Sequence, residues 1–365
     1  VNDSPTNWTT AGHGVPESVD LFAETSAIAA GINLPPGFRA VAEDEEFGPA
    51  ISQGMAKVEK VLRAAVANSD PLIDATSRHL VEAGGKRVRP LLVILTSLLG
   101  EGVTAETIKA AAIVELTHLA TLYHDDVMDS ASYRRGAPTA HEVWGNSTAI
   151  LTGDLIFARA SVIGSELGPQ AVELQAKTFE RLCLGQLHET VGPREGEDPV
   201  AHYLDVIGDK TASLISTSGV FGALFGGAAE HVEVMRDYGE KVGVAFQLAD
   251  DVIDVTGAQV ASGKTPGTDL REGVPTLPVL LLREAAAAGD RSATEVLTLV
   301  DGDLSSDEDL ARTVAALAAH DVTQKSWAVA RQWSADAIAA LAPLPEGPVK
   351  SSLAAFAEAV VSREN

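Results

Sequence analysis

The sequence predicts an all-α fold, and three observations lead there. Apolar residues recur three and four apart from about residue 46 nearly to the end, the spacing that lines one face of a helix. Alanine is abundant and strand-type alternation of Val, Ile and Thr is scarce, which favours helix over sheet. No strand-helix alternation appears, so a doubly wound nucleotide-binding fold is not expected. Hydrophobic residues make up 45% of the 365-residue chain and charged residues 21%, a balance that excludes wholesale disorder.

The elements follow in chain order. Residues 1–45 carry scattered Gly and Pro, then Pro35-Pro36 and an acidic run at 43–46, and read as a loosely structured, solvated extension. Residues 46–365 read as one helical domain. Its helices are separated where Gly, Pro or acidic clusters collect: at 83–87, 100–104, 165–169, 192–199, 262–275 and 301–309. Residues 211–229 are uncharged and long enough to raise the question of a membrane span. Their five Ser/Thr and four Gly favour a buried helix of a soluble protein, so stable membrane insertion is not expected. No 20–50-residue period marks a solenoid.

Charge and cysteine content narrow the function. Lys and Arg number 27 against 51 Asp and Glu, for a net charge of −24. Such a surface repels phosphate backbones and anionic lipids, which argues against nucleic acid as a partner. The one cysteine, Cys183, cannot form an internal disulfide, and Cys-based zinc sites are excluded. No secretory signal is visible in the first 30 residues, and a cytoplasmic location is expected.

The main chemical signal is a pair of acidic motifs. HDDVMD contains Asp125, Asp126 and Asp129; LADDVID, 125 residues later, contains Asp250, Asp251 and Asp254. On a helix, residues four apart lie about 5.4 Å above one another, so Asp125 shares a face with Asp129 and Asp250 with Asp254. Carboxylates so close repel unless cations intervene. Carboxylates without Cys or clustered His beside them suit Mg²⁺, which takes one or two carboxylates and completes its shell with water and substrate phosphate. Scarce cations recur nearby: Lys86 to Arg89 after a Gly pair, Arg134 and Arg135 after the first cluster, Lys210 before the uncharged helix, and Lys264 after the second cluster. His118 precedes Asp125 by seven residues, two turns along one stripe. Carboxylates that hold metal, beside cations that grip phosphate oxygens, make a jaw for a diphosphate.

GGKRVRP at 84–90, HLATLYHDDVMD at 118–129, RRGAPTAH at 134–141, KTASL at 210–214, FQLADDVID at 246–254 and GKTPGTDLREGVPTLP at 263–278 resemble the ordered motif set of all-trans polyprenyl diphosphate synthases. The resemblance covers about residues 50–350. It implies a cage of long helices around a deep central cavity, the isoprenoid synthase fold, in a homodimer. It also implies three Mg²⁺ ions per site with substrate bound, for which Mn²⁺ can substitute. Carried over by position, Asp125, Asp126 and Asp129 bind metal that bridges an allylic diphosphate, with Asp250 and Asp254 opposite. Arg134, Lys210 and Lys264 pair with that diphosphate, and Thr211 and Gln247 add neutral hydrogen bonds. Lys86, Arg89, His118 and Arg135 hold the diphosphate of isopentenyl diphosphate. Two departures stand out: Val274 lies where many members carry Lys, and Tyr123 where a smaller aliphatic residue is common.

The implied reaction breaks a C–O bond to an allylic carbocation and joins it to isopentenyl diphosphate. Asp125, Asp126, Asp129, Lys210, Asp250 and Lys264 would form its catalytic set. Short-chain relatives place a bulky aromatic at Ala120 or Thr121, the turn before Asp125. Both side chains are small here, so a long product is expected, octaprenyl to decaprenyl, suited to menaquinone side chains. The alternatives are a geranylgeranyl or farnesyl diphosphate synthase, a terpene cyclase, and a non-catalytic synthase subunit. Both aspartate sets are complete and GGKRVR is present, which opposes the last two.

Overall fold

The computed structural model describes residue 38, residues 44–45, 47–256 and 266–362. Most of the expected extension, and Lys264, lie outside the described residues. Helix α1 (Phe47–Val66) is followed by α2 (Pro71–Glu82), α3 (Val88–Ser97) and α4 (Ala105–Met128). A hairpin of β1 (Tyr133–Arg134) and β2 (Ala137–Pro138) comes next, then α5 (Ala140–Trp144), α6 (Asn146–Leu167), α7 (Pro169–Val191) and α8 (Pro199–Ile207). A π-helical turn, Gly208–Ala212, leads into α9 (Ser213–Phe225) and α10 (Val232–Thr256). The remainder is α11 (Thr268–Glu272), α12 (Leu277–Ala287), α13 (Arg291–Val300), α14 (Asp307–Ala319), α15 (Asp321–Ala340) and α16 (Pro348–Val361).

Local chemistry explains the helix starts. Asp70 accepts from the Leu72 and Ile73 amides, with Pro71 in the first turn, where its missing N–H costs nothing. Thr104 and Thr107 cap α4 reciprocally. Ser306 caps α14, whose first turn carries Asp307, Glu308 and Asp309, favourable charges at a helix N-terminus.

The uncharged segment forms the centre of the molecule. Helix α9 is buried from Ser213 to Ala223 and packs on α3, α4 and α10. Its small residues permit this. A Cβ on Gly222 would lie 2.3 Å from the Val93 carbonyl oxygen and closer still to the Thr96 hydroxyl of α3. The helix runs only 13 residues, because the π-helical turn precedes it and Gly226 ends it. Among the described residues the helix long and apolar enough to cross a membrane, by length and composition alone, is instead α6, of which one third of the apolar window is buried.

A large core joins α1–α10 to α15 and α16. A smaller cluster of Val255, Leu270, Val279, Leu282, Leu310 and Leu317 lies under α11–α14. Phe38 is one of the described residues of the N-terminal segment. It falls within the segment read as solvated, yet it is fully buried, its ring 4.7 Å from that of Phe356. One aromatic ring outweighs the polar composition around it, since burying it is worth a few kcal/mol. The hairpin at 133–138 is a second departure from the all-helical expectation. Arg135 and Gly136 both take positive φ, 53° and 78°, as a two-residue hairpin turn needs.

Candidate active site

The first aspartate cluster ends α4. Asp125 is half-buried and Asp129 exposed, whereas Asp126 is fully buried. Burial pushes the Asp125 carboxyl up to about 6, opposed by the Lys210 ammonium and reinforced by Asp129. Asp129 is raised too, chiefly by burial, again against Lys210. Asp126 differs from its neighbours: one oxygen accepts from Arg134 Nε, and the other is buried with no hydrogen-bond partner. An orphaned carboxylate oxygen beside a guanidinium is costly to bury, and a cation or a donor arriving there would relieve it.

The second cluster lies near the end of α10. Asp251 is buried and accepts from the Tyr203 hydroxyl and from Gln247 Nε2 at 2.7 Å. Burial pushes its carboxyl up to about 8; Asp269 and Asp250 add to the rise, and the two hydrogen bonds oppose it. Asp254 accepts from the amides of Thr268 and Asp269 at 3.3 and 3.2 Å, so its carboxylate caps α11.

The π-helical turn connects the two clusters. Lys210 forms an ion pair with Glu189 of α7 at 2.5 Å and is the strongest cationic influence on both Asp125 and Asp129. The next residue, Thr211, donates to Gln247 Oε1 at 2.9 Å, one turn before Asp251. A π-helical turn inserts an extra residue, which lets consecutive side chains serve opposite walls. Arg181 holds the turn from behind, with bonds to Asp209 at 2.7 Å, to Glu240 at 2.5 Å and to the Gly208 carbonyl at 3.3 Å. Helix α7 approaches closely there, since a Cβ on Gly185 would lie 2.7 Å from the Lys210 backbone nitrogen.

A separate cationic pocket surrounds His118. Its proton affinity is held well below the ordinary range, by burial first and then by Arg89, Arg135, Arg134 and Arg87. Four guanidinium groups around a neutral imidazole suit a polyanion. Arg89 Nε is buried without a partner. Arg87 is committed elsewhere, to Glu59 at 2.6 Å and Glu115 at 2.9 Å. Arg135 donates to the carbonyls of Leu80 and Gly84, and Lys86 is exposed.

Below Asp125, Thr121 bonds back to the His118 carbonyl at 2.8 Å. The same stripe continues to Thr117 and Ile113, which border a tight seam between α4, α7 and α9 with no room for a water-sized body. Ala120 is fully buried and does not line that seam. Tyr123 turns away, its hydroxyl donating to the Thr76 carbonyl at 2.5 Å.

The chain matches the family model described as polyprenyl synthetase over residues 70–317. It belongs to the polyprenyl synthetase family. It is 42% identical over 323 residues to a nonaprenyl diphosphate synthase of Mycobacterium tuberculosis, covering 88% of this chain and 95% of that one. A decaprenyl diphosphate synthase structure from Rhodobacter capsulatus superposes with a TM-score of 0.78 at 33% identity, covering 90% of this chain and all of that one. A geranylgeranyl pyrophosphate synthase from Corynebacterium glutamicum, complexed with calcium and isoprenyl diphosphate, gives 0.77 at 40% identity, covering 88% and 98%. The family places this chain among prenyl-transferring enzymes and its fold among isoprenoid synthases, as the motifs imply.

Several residues at the site escape a reading by motif. Glu189, Tyr203 and Arg181 lie in ordinary helical sequence, and only packing brings them to the π-helical turn or to Asp251. Asp269 stands inside the quoted loop motif, two residues after Gly267; its acidity amid glycines is the signal that could have singled it out. Among the described residues no three Asp, Glu, His or Cys side chains converge on one metal-sized position. Paired carboxylates facing phosphate oxygens are nonetheless the donor set Mg²⁺ takes.

Proposed function

We propose that this protein is a Mg²⁺-dependent trans-prenyltransferase that condenses isopentenyl diphosphate with an allylic diphosphate into a long all-trans polyprenyl diphosphate. One observation carries the reading: a single turn presents Lys210 to the Asp125 cluster and Thr211 to the Gln247–Asp251 wall, while a second, cationic pocket forms around His118. Two anion sites side by side fit two diphosphate substrates.

Asp125, Asp129 and Asp250 would hold the metal, with the orphaned Asp126 oxygen close behind. When bound, Mg²⁺ supplies electrostatic stabilisation of charge on the departing diphosphate. Lys210 and Arg134 pair with the same oxygens, joined by Lys264. Arg89, Arg135, Lys86 and the neutral His118 hold isopentenyl diphosphate so that its alkene faces the allylic carbon. The departing diphosphate takes the proton lost from the new chain, so no side-chain base is needed. Val274 leaves the allylic site one cation short of many relatives, and Arg134 and Lys210 carry the charge.

The expected product is octaprenyl to decaprenyl, a membrane-quinone side chain, made in the cytoplasm. A homodimer fits the exposed apolar residues Ile150, Leu151 and Val162 of α6 and Leu184, Leu187 and Val191 of α7. Such a patch on two adjacent long helices suits a second copy of the same face. The test is incubation with radiolabelled isopentenyl diphosphate and allylic primers, with product length read by chromatography. Chelation should abolish incorporation and added Mg²⁺ or Mn²⁺ restore it. Absence of incorporation with every primer would overturn the reading, and a product ending at geranylgeranyl would assign the short-chain class.

A further inference from the structure

The guanidinium groups around His118 are of two kinds. Arg87 is buried, and its donors are taken up by the protein. Its Nε donates to Glu59 at 2.6 Å, and its Nη1 to Glu115 at 2.9 Å and to the Gly84 carbonyl at 3.1 Å. Its Nη2 donates to the Val81 carbonyl at 3.0 Å. Glu115 is 2% exposed and lies three residues before His118 on α4, about one turn away. It attracts Arg89 and Arg135 as well. Among the described residues, however, its ion pair is with Arg87 alone. Arg135 donates instead to the carbonyls of Leu80 and Gly84, and Arg89 Nε is buried with no partner.

The backbone of Arg87 is also unusual. Its φ is 49°, in the left-handed region that disfavours a side chain, and such a conformation persists only where surrounding bonds enforce it. We propose that Arg87 is a positioning residue of the isopentenyl diphosphate pocket: by binding Glu115 and Glu59 it keeps these carboxylates off Arg89 and Arg135, and so leaves those two guanidinium groups to the diphosphate. The proposal rests on the prenyl-transfer reading above. Glu115 balances the charge of several buried cations, and without it they would repel one another. A buried carboxylate that loses its partner is strongly disfavoured and pairs with the nearest cation. Without Arg87, Glu115 would therefore turn to Arg89 or Arg135 and occupy donors that the diphosphate needs.

The test compares Arg87→Met, which frees Glu115, with the double variant Arg87→Met/Glu115→Gln, which removes the freed charge as well. Steady-state kinetics with each substrate varied are measured on full-length protein, at a temperature where circular dichroism shows each variant folded. Arg87→Met should raise the Michaelis constant for isopentenyl diphosphate by about tenfold or more, while the allylic constant and kcat change by less than about twofold. The double variant should recover most of that rise, although it has lost every bond of the Arg87 side chain. A strut that merely holds the loop predicts the reverse, a double variant no better than the single one, and that result would overturn the proposal. An unchanged isopentenyl constant in Arg87→Met, or equal rises for both substrates, would overturn it too. Should Arg87→Met fail to fold, Arg87→Lys decides, because one ammonium cannot reproduce the guanidinium fork that holds both carboxylates. Its isopentenyl constant should rise and fall again on adding Glu115→Gln; no rise, or no recovery, overturns the proposal. A wild type that incorporates nothing would overturn the prenyl-transfer reading itself, and the proposal with it.

Discussion

At His118, burial and four guanidinium groups act in the same direction, so the imidazole is neutral at physiological pH and offers a hydrogen bond, not a charge. The charge of that pocket comes from Arg89 and Arg135. Arg89→Ala should raise the Michaelis constant for isopentenyl diphosphate by about ten- to a hundredfold, with less effect on the allylic substrate; steady-state kinetics with each substrate varied will show it. A change confined to the allylic constant would reverse the assignment. Asp251 presents a different balance. Its carboxyl rises from the ordinary 3.8 to about 8 on folding, so the folded state binds the extra proton. Stability should therefore fall as pH rises between those values and level off above them. Thermal melts of the metal-free protein at pH 6 and pH 9 should show the decline, and Asp251→Asn should flatten it. An equal decline in the variant would assign it to the general excess of negative charge.

At the scale of elements, the π-helical turn is the organising feature. It exists because Arg181 binds Asp209, Glu240 and the Gly208 carbonyl together, and because α7 carries no side chain at Gly185. Gly185→Ala would force a Cβ to 2.7 Å from the Lys210 backbone nitrogen. Overpacking of this kind costs about 1–3 kcal/mol, and here the strain falls on the residue that faces Asp125. Denaturant melts should show that loss, and turnover should fall with the isopentenyl Michaelis constant unchanged. A variant destabilised without any loss of turnover would separate the turn from the chemistry. Helix α4 serves both sites two turns apart: His118 faces the cationic pocket and Asp125 the diphosphate jaw.

For the whole molecule, the apolar face of α6 and α7 predicts self-association. Sedimentation should give twice the chain mass, and Leu151→Glu with Leu187→Glu should yield monomers, because a carboxylate buried without a partner is strongly disfavoured. A wild-type monomer would leave that face for another partner. The two cores suggest unequal stability. The smaller cluster under α11–α14 contains nine buried hydrophobic side chains, and it carries the segment that Asp254 caps. Hydrogen exchange should therefore be faster there than in α9, which is buried on every side.

Helix spacing, the aspartate motifs and the flanking cations were legible in the sequence because each is a local pattern: periodicity sets an exposed face, and neighbouring carboxylates share a turn. Family membership followed from the order of those motifs. Tertiary structure alone decided what distant residues do together. Asp126 and Arg134 neutralise each other across the hairpin, and Asp254 turns to cap α11. Arg87, one of three cations in KRVR, is tied to Glu59 and Glu115. Tyr203 finds Asp251 across 48 residues, and Thr211 finds Gln247 across 36. A sequence states which groups are present and how local geometry spaces them. Whether a charge is neutralised or an amide left unpaired depends on partners that only packing brings within about 3 Å.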